Sequence, residues 1–180
     1  MEMHAVGHAY RQLMSRRNPL PCIKAIGDQT ASQLKVDGWS VFLEKDNHWE
    51  LAVADDAYMA TVDPNNMPRF PRGCGVTDRA VAHSKAFSIR TAPEHEAYDP
   101  AFDRGCQSIA LARLTFPGAN TLKILGIIHF LRFKGEDRFV RDDSIWVDEA
   151  AAQVSSVLTA HMASTDLPMW QHMSESLVQA

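Results

Sequence analysis

The side chains able to do chemistry in this 180-residue chain are few and scattered. His129 stands in the run Lys123–Phe133 (KILGIIHFLRF), an imidazole among Ile, Leu and Phe, sharing a strand face with Ile127 and Leu131. A histidine in such a place is a hydrogen-bonding group or a metal ligand; the plainer reading is a core histidine bonded to a backbone carbonyl. Glu94–His95–Glu96 with Asp99 and Asp103 gathers acids, but a polar loop of that composition reads as solvated. Cys22, Cys74 and Cys106 are odd in number and lack metal-ligand spacing. No CxxC or GxxxxGK[ST] occurs. Arg72 and Arg104 each lie two residues from a cysteine, and nearby positive charge is what a reactive thiolate would need.

The elements that must position these groups follow from apolar periodicity. Gln107–Phe116 and Lys123–Phe133 read as two buried strands, with Pro117–Gly118–Ala119–Asn120 as the turn between them. Val147, Ala150, Ala151, Val154, Val157 and Leu158 then recur at helical spacing, with Asp142 and Asp143 favourably placed at the positive end of that helix. Upstream, Val6, Tyr10, Leu13 and Met14 lie on one helical face that Asn18–Pro21 terminates. A second helix is predicted from Pro21 to about Val36, burying Ile23, Ile26, Thr30 and Leu34, with Gly27 unfavourable inside it. Trp39–Lys45 and His48–Ala54 form a hairpin about Asp46–Asn47, with Trp39, Val41 and Leu43 alternating with Ser40, Phe42 and Glu44. Asp55–Gly73 is a long connection of the kind that often carries function. Gly75–Ser84 reads as a short helix, Ala86–Arg90 as a strand, and Thr91–Arg104 as irregular with a turn of helix around Tyr98–Phe102. The order predicts an α+β layer fold, a mostly antiparallel sheet of five to six strands with helices on both faces.

Composition excludes some classes. The net charge of -4, with Arg16–Arg17 the only adjacent basic pair, opposes a nucleic-acid or anionic-membrane surface. No apolar run nears the roughly 20 residues of a membrane span, and the N-terminus lacks signal-peptide order. The expected location is the cytoplasm, where the cysteines stay thiols.

Four stretches resemble the GAF domain, the small-molecule sensor module of phosphodiesterases, cyclases, phytochromes and histidine kinases. Trp39–Val53 is similar to its opening hairpin, and Gly75–Ile89 to its glycine-headed helix and strand. Tyr98–Leu114 resembles a loop and strand of the cyclic-nucleotide branch, and Leu125–Leu158 the family's closing strand and helix. The chain departs from the pattern at Asp78, Ser84, Ala86 and Arg113, and it lacks the phosphodiesterase asparagine–lysine–phenylalanine–aspartate signature and the cysteine–histidine pair that holds bilin. The resemblance therefore carries over a fold and leaves ligand and cofactor unknown. It implies N-terminal helices over 1–37, a GAF-like domain over 38–160 and a helical extension over 161–180.

The resemblance also implies a pocket between the sheet and Asp55–Ser84 and Thr91–Cys106. Ile127, His129 and Leu131 would form its floor, Ile109 and Leu111 would flank them, and His83, Tyr98 and Phe102 would come from the cover. His129 would be a hydrogen-bond partner or a haem ligand, with His83 and His95 able to join it. The implied function is a non-catalytic regulatory domain for an unknown small molecule; the alternative is a redox enzyme reducing free methionine sulfoxide through cysteines at the pocket rim. A homodimer through the terminal helices is expected, Trp146 and Trp170 serving packing or interface, with Leu167–Trp170 and Met173 adding apolar surface.

Overall fold

The turn Asp46–Asn47 sets the first hairpin. Both residues have positive φ, 51° and 62°, which a two-residue hairpin turn requires and which Asp and Asn tolerate better than most side chains. The computed structural model describes residues 18–116, 123–134 and 139–164, apart from the side chains at 78–80 and 164. In chain order these are α1 (Leu20–Leu34), β1 (Gly38–Lys45), β2 (His48–Ala54), α2 (Asp56–Met59), β3 (Arg69–Pro71), α3 (Thr77–Ala82), β4 (Phe87–Ile89), β5 (Ser108–Phe116), β6 (Lys123–Arg132) and α4 (Asp143–Ser164). The segment around Val6–Met14, the turn Pro117–Asn120, and Leu167, Trp170 and Met173 lie outside the described residues.

The six strands form one sheet in the order β3-β2-β1-β6-β5-β4, and each pairing is antiparallel. β6 runs between β1 and β5, as its two-sided apolar run requires. Side chains alternate between two cores. Ile128 and Phe130, with Ala110 and Ala112 of β5 and Val41 and Leu43 of β1, meet Ile23, Leu34, Val147, Val154 and Leu158 of the long helices. Phe42, Ile109, Leu111, Ile127 and Leu131 face the other way, toward Val76, Ala92, Phe102 and Cys106 of the covering segments. The alternation along Trp39–Leu43 therefore separates two buried faces, because the cover seals the second one.

Two features differ from the sequence expectation. Helix α1 ends at Leu34 rather than Val36: Lys35 turns left-handed (φ 52°) and the Val36 N–H returns to the Ala31 carbonyl. The long connection after β2 contains α2 and β3, too short to show periodicity. Gly27 is also explained. A Cβ there would lie 2.5 Å from the Trp39 ring, whose Nε1 donates to Asp28 Oδ1 at 2.9 Å, so only glycine lets the indole lie against the helix. Arg132 joins the helix layer from the sheet, donating to the Leu34 carbonyl at 2.9 Å and reaching Asp143 at 4.0 Å. The C-terminus of α1 thus lies beside the N-terminus of α4. Trp146, at 43 % exposed, stands on the outer side of α4 near exposed Ile145 and Val140. Among the described residues no helix is long and apolar enough to cross a membrane.

Candidate functional site

His129 lies on β6 between Ile128 and Phe130, which face the long helices, so its ring enters the covered face. It is completely buried, 5.5 Å from the Phe42 ring centroid and 5.7 Å from that of Phe102. Its Nε2 is 3.0 Å from Thr77 Oγ1, at the start of α3. The partner is therefore a side-chain hydroxyl, not the backbone carbonyl of the plainer sequence reading. Burial pushes the imidazole down to about 3, with the Arg104 charge adding to the effect, so the ring is neutral at physiological pH. Nδ1 is buried without a hydrogen-bond partner, and so is the hydroxyl of Ser40, the residue opposite His129 across the β1–β6 ladder. The residues do not fit a haem: Thr77 takes Nε2, and aromatic rings crowd the imidazole.

Ile127, Leu131, Ile109 and Leu111 are fully buried on the same face. Phe102 is brought onto them, its ring 4.9 Å from Phe42 and 4.6 Å from Phe70. Tyr98 is half-buried at the edge, its hydroxyl donating to the Cys106 carbonyl at 3.4 Å; burial raises its phenol above the ordinary range. His83 is not brought to His129. Helix α3 stops at Ala82, which leaves His83 exposed against the Phe87 ring at 4.7 Å. His95 is half-buried in its own loop, its Nδ1 accepting from the Ala97 N–H at 3.2 Å. Among the described residues no group of three His, Cys, Asp or Glu is placed to hold a metal ion.

Asp103 is the residue the sequence reading missed. Expected in a solvated acidic loop, it is completely buried. Its Oδ2 accepts the N–H groups of Val76 at 3.2 Å and Asp99 at 2.9 Å, while Oδ1 has no partner. Burial pushes the carboxyl up to about 6, the two N–H bonds holding it from going further. Gly75 makes the approach possible: its φ is +68°, and a Cβ there would stand 2.7 Å from Asp103 Oδ1 and 2.5 Å from the Phe102 ring. The available signal was Phe102 immediately before Asp103 and Cys106 three residues after it, both of them buried types.

The next residue ties down the other side of the cover. Arg104 adopts φ 57°, and its Nη1 donates to Asp55 Oδ2 at 2.9 Å and to the Trp39 carbonyl at 3.1 Å. Its guanidinium lies 3.8 Å from the Tyr58 ring centroid. Asp55 in turn caps α2, accepting from the Tyr58 N–H at 3.0 Å. Consecutive side chains thus hold the two cover segments, Asp103 the one at Val76 and Arg104 the one at Asp55.

All three cysteines are thiols rather than halves of a disulfide. Cys106 is fully buried, and burial, with Asp103 nearby, pushes its thiol up to about 12. The arginine two residues before it does not activate it, because that guanidinium is directed to Asp55.

No known family profile matches the chain, and no curated protein matches it by sequence. Solved structures do match in shape. The GAF domain of a Coxiella burnetii phosphoenolpyruvate-protein phosphotransferase superposes with a TM-score of 0.68 at 16 % identity, covering 93 % of this chain and 98 % of that one. The corresponding Acinetobacter domain gives 0.64 at 14 % identity, covering 91 % and 97 %. Free methionine-R-sulfoxide reductase from Neisseria meningitidis, solved with its substrate, gives 0.60 at 14 % identity, covering 79 % and 81 %. This chain has the GAF fold, and at these identities the likeness is one of fold.

Proposed function

We propose that this chain is a non-catalytic sensor domain that binds a small molecule on the covered face of its sheet. The observation that carries this reading is His129, a neutral imidazole in the middle of an otherwise apolar buried face, with one nitrogen held by Thr77 and the other unpartnered. The cover over it suits a gate. It consists of short pieces held by a few side-chain bonds, the kind of structure that opens at low free energy. Helices α1 and α4 pack against the opposite face of the same strands, so a shift of β6 on ligand binding would reach them. A homodimer through the terminal helices, working in the reducing cytoplasm, belongs to the same proposal.

The alternative is catalysis. Free methionine-R-sulfoxide reductases share this fold, and both Cys74 and Cys106 belong to the covered face here. Against it, the Cys106 thiol is far from the thiolate such chemistry needs. Reduction of free methionine sulfoxide with a dithiol, compared between wild type and Cys106→Ser, tests this directly. The sensor reading expects no turnover above background in either protein, together with a rise in melting temperature on adding the low-molecular-weight fraction of a cell extract. Turnover that disappears in Cys106→Ser would replace the sensor by the reductase.

A further inference from the structure

This inference rests on reading the covered face as a ligand site, and concerns what that site would take. Four polar atoms on this face are buried without a hydrogen-bond partner: Ser40 Oγ, His129 Nδ1, Asp103 Oδ1 and, on β2, Trp49 Nε1. Buried polar groups are nearly always paired, so several on one face mark a place where another molecule supplies the bonds. Ser40 faces His129 across the β1–β6 ladder, where side chains on one face stand about 5 Å apart. Thr77 holds His129, and the preceding residue, Val76, holds Asp103.

The charge pattern decides the class of ligand. His129 is neutral, and Arg104 is directed to Asp55 and the Trp39 carbonyl. Asp103 brings a carboxylate whose free oxygen can only accept when ionised, while the Arg104 cation, whose charge reaches His129, is already paired with Asp55. An anionic ligand meets a like charge there, whereas a ligand N–H finds an acceptor. Phe42 and Phe102, packed edge to face with ring centroids 4.9 Å apart, form the aromatic flank of this end.

We propose that Asp103 Oδ1, Ser40 Oγ and His129 Nδ1 form the recognition end of a site for a compact, planar, uncharged amide or nitrogen heterocycle. Its N–H donates to Asp103 Oδ1, its carbonyl oxygen accepts from the Ser40 hydroxyl, and its ring lies against Phe42 and Phe102. Gly75 is the residue that allows the carboxyl oxygen to stand where it does.

The test uses two probes of one shape on the whole chain at neutral pH: benzamide, uncharged with two N–H donors, and benzoate, its anion. Ligand-observed NMR titration should show benzamide binding at least about tenfold more tightly than benzoate. Asp103→Asn retains an oxygen for Val76 and Asp99 and places an amino group where Oδ1 stood, so benzamide should lose about tenfold and benzoate should gain. Ser40→Ala should weaken benzamide without reversing the preference, and it decides the matter alone if Asp103→Asn does not fold. Equal affinity for the two probes, a preference that survives Asp103→Asn, benzamide affinity unchanged in Ser40→Ala, or no benzamide saturation by about 10 mM overturns the proposal. Discovery of an anionic molecule bound beside His129 would overturn it while leaving the ligand-site reading intact.

Discussion

Asp103 should make the stability of this protein fall as pH rises through the mildly acidic range. Burial pushes its carboxyl up to about 6 in the fold, from the 3.8 of an ordinary aspartate. An acid with a raised native pKa binds its proton more tightly when folded, so between those two values the native state holds more protons than the unfolded one. The slope of stability with pH is then negative. The contribution is fully present below about pH 4 and is lost above about pH 6. A shift of this size corresponds to at most about 3 kcal/mol, and about 1–2 kcal/mol remains after allowing for water reaching the covering loop. Other carboxylates titrate in the same window, so the useful quantity is the difference between wild type and Asp103→Asn, which retains the shape and an acceptor but has no proton to lose. Urea unfolding followed by the fluorescence of the buried Trp39 and Trp49 gives that difference at each pH. Wild type should lose about 1–2 kcal/mol relative to Asp103→Asn on going from about pH 4 to pH 7. A flat difference would mean that the carboxyl is solvated. Wild type gaining on Asp103→Asn as pH rises would mean that the two N–H bonds outweigh burial, and either result refutes the reasoning.

Other outcomes follow from the same contacts. Thr77→Val leaves His129 without its remaining partner and should cost about 1–2 kcal/mol in urea unfolding, with Thr77→Ser restoring most of it. Gly27→Ala gains about 1 kcal/mol of helix propensity but pushes a methyl into the Trp39 ring, so thermal unfolding should show net destabilisation of about 1–2 kcal/mol. Arg104→Met leaves the half-buried Asp55 without its cation; it should destabilise by about 2 kcal/mol and speed hydrogen exchange at the Tyr58 amide more than at Ile128. Native Cys106 should react with a thiol reagent only as fast as the cover opens, and faster in Arg104→Met.

Much of the frame was legible along the chain, and the reasons are local. Asp46–Asn47 announces a turn that needs two positive φ values, and the nearly continuous apolar run of β6 is what a strand covered on both faces must have. His129 stood out because it interrupts that run. The site's other half was hidden because its burial is tertiary. Asp103 is buried by Val76, 27 residues away, and Arg104 is aimed at Asp55, 49 residues away. No spacing along the chain reports either contact. Ser40 becomes a neighbour of His129 only once the β1–β6 register is set. His83 is exposed because α3 ends at Ala82, short of the Ser84 that the sequence suggested.

The measurement that bears most directly on the sensor proposal is native mass spectrometry of the freshly purified protein, beside the same sample denatured. The proposal predicts a native mass that exceeds the bare protein, in whatever assembly it flies, by one small molecule per chain, released on denaturation and absent or reduced in His129→Ala. A native mass equal to that of the bare protein, or an adduct retained undiminished in His129→Ala, contradicts a ligand site on this face.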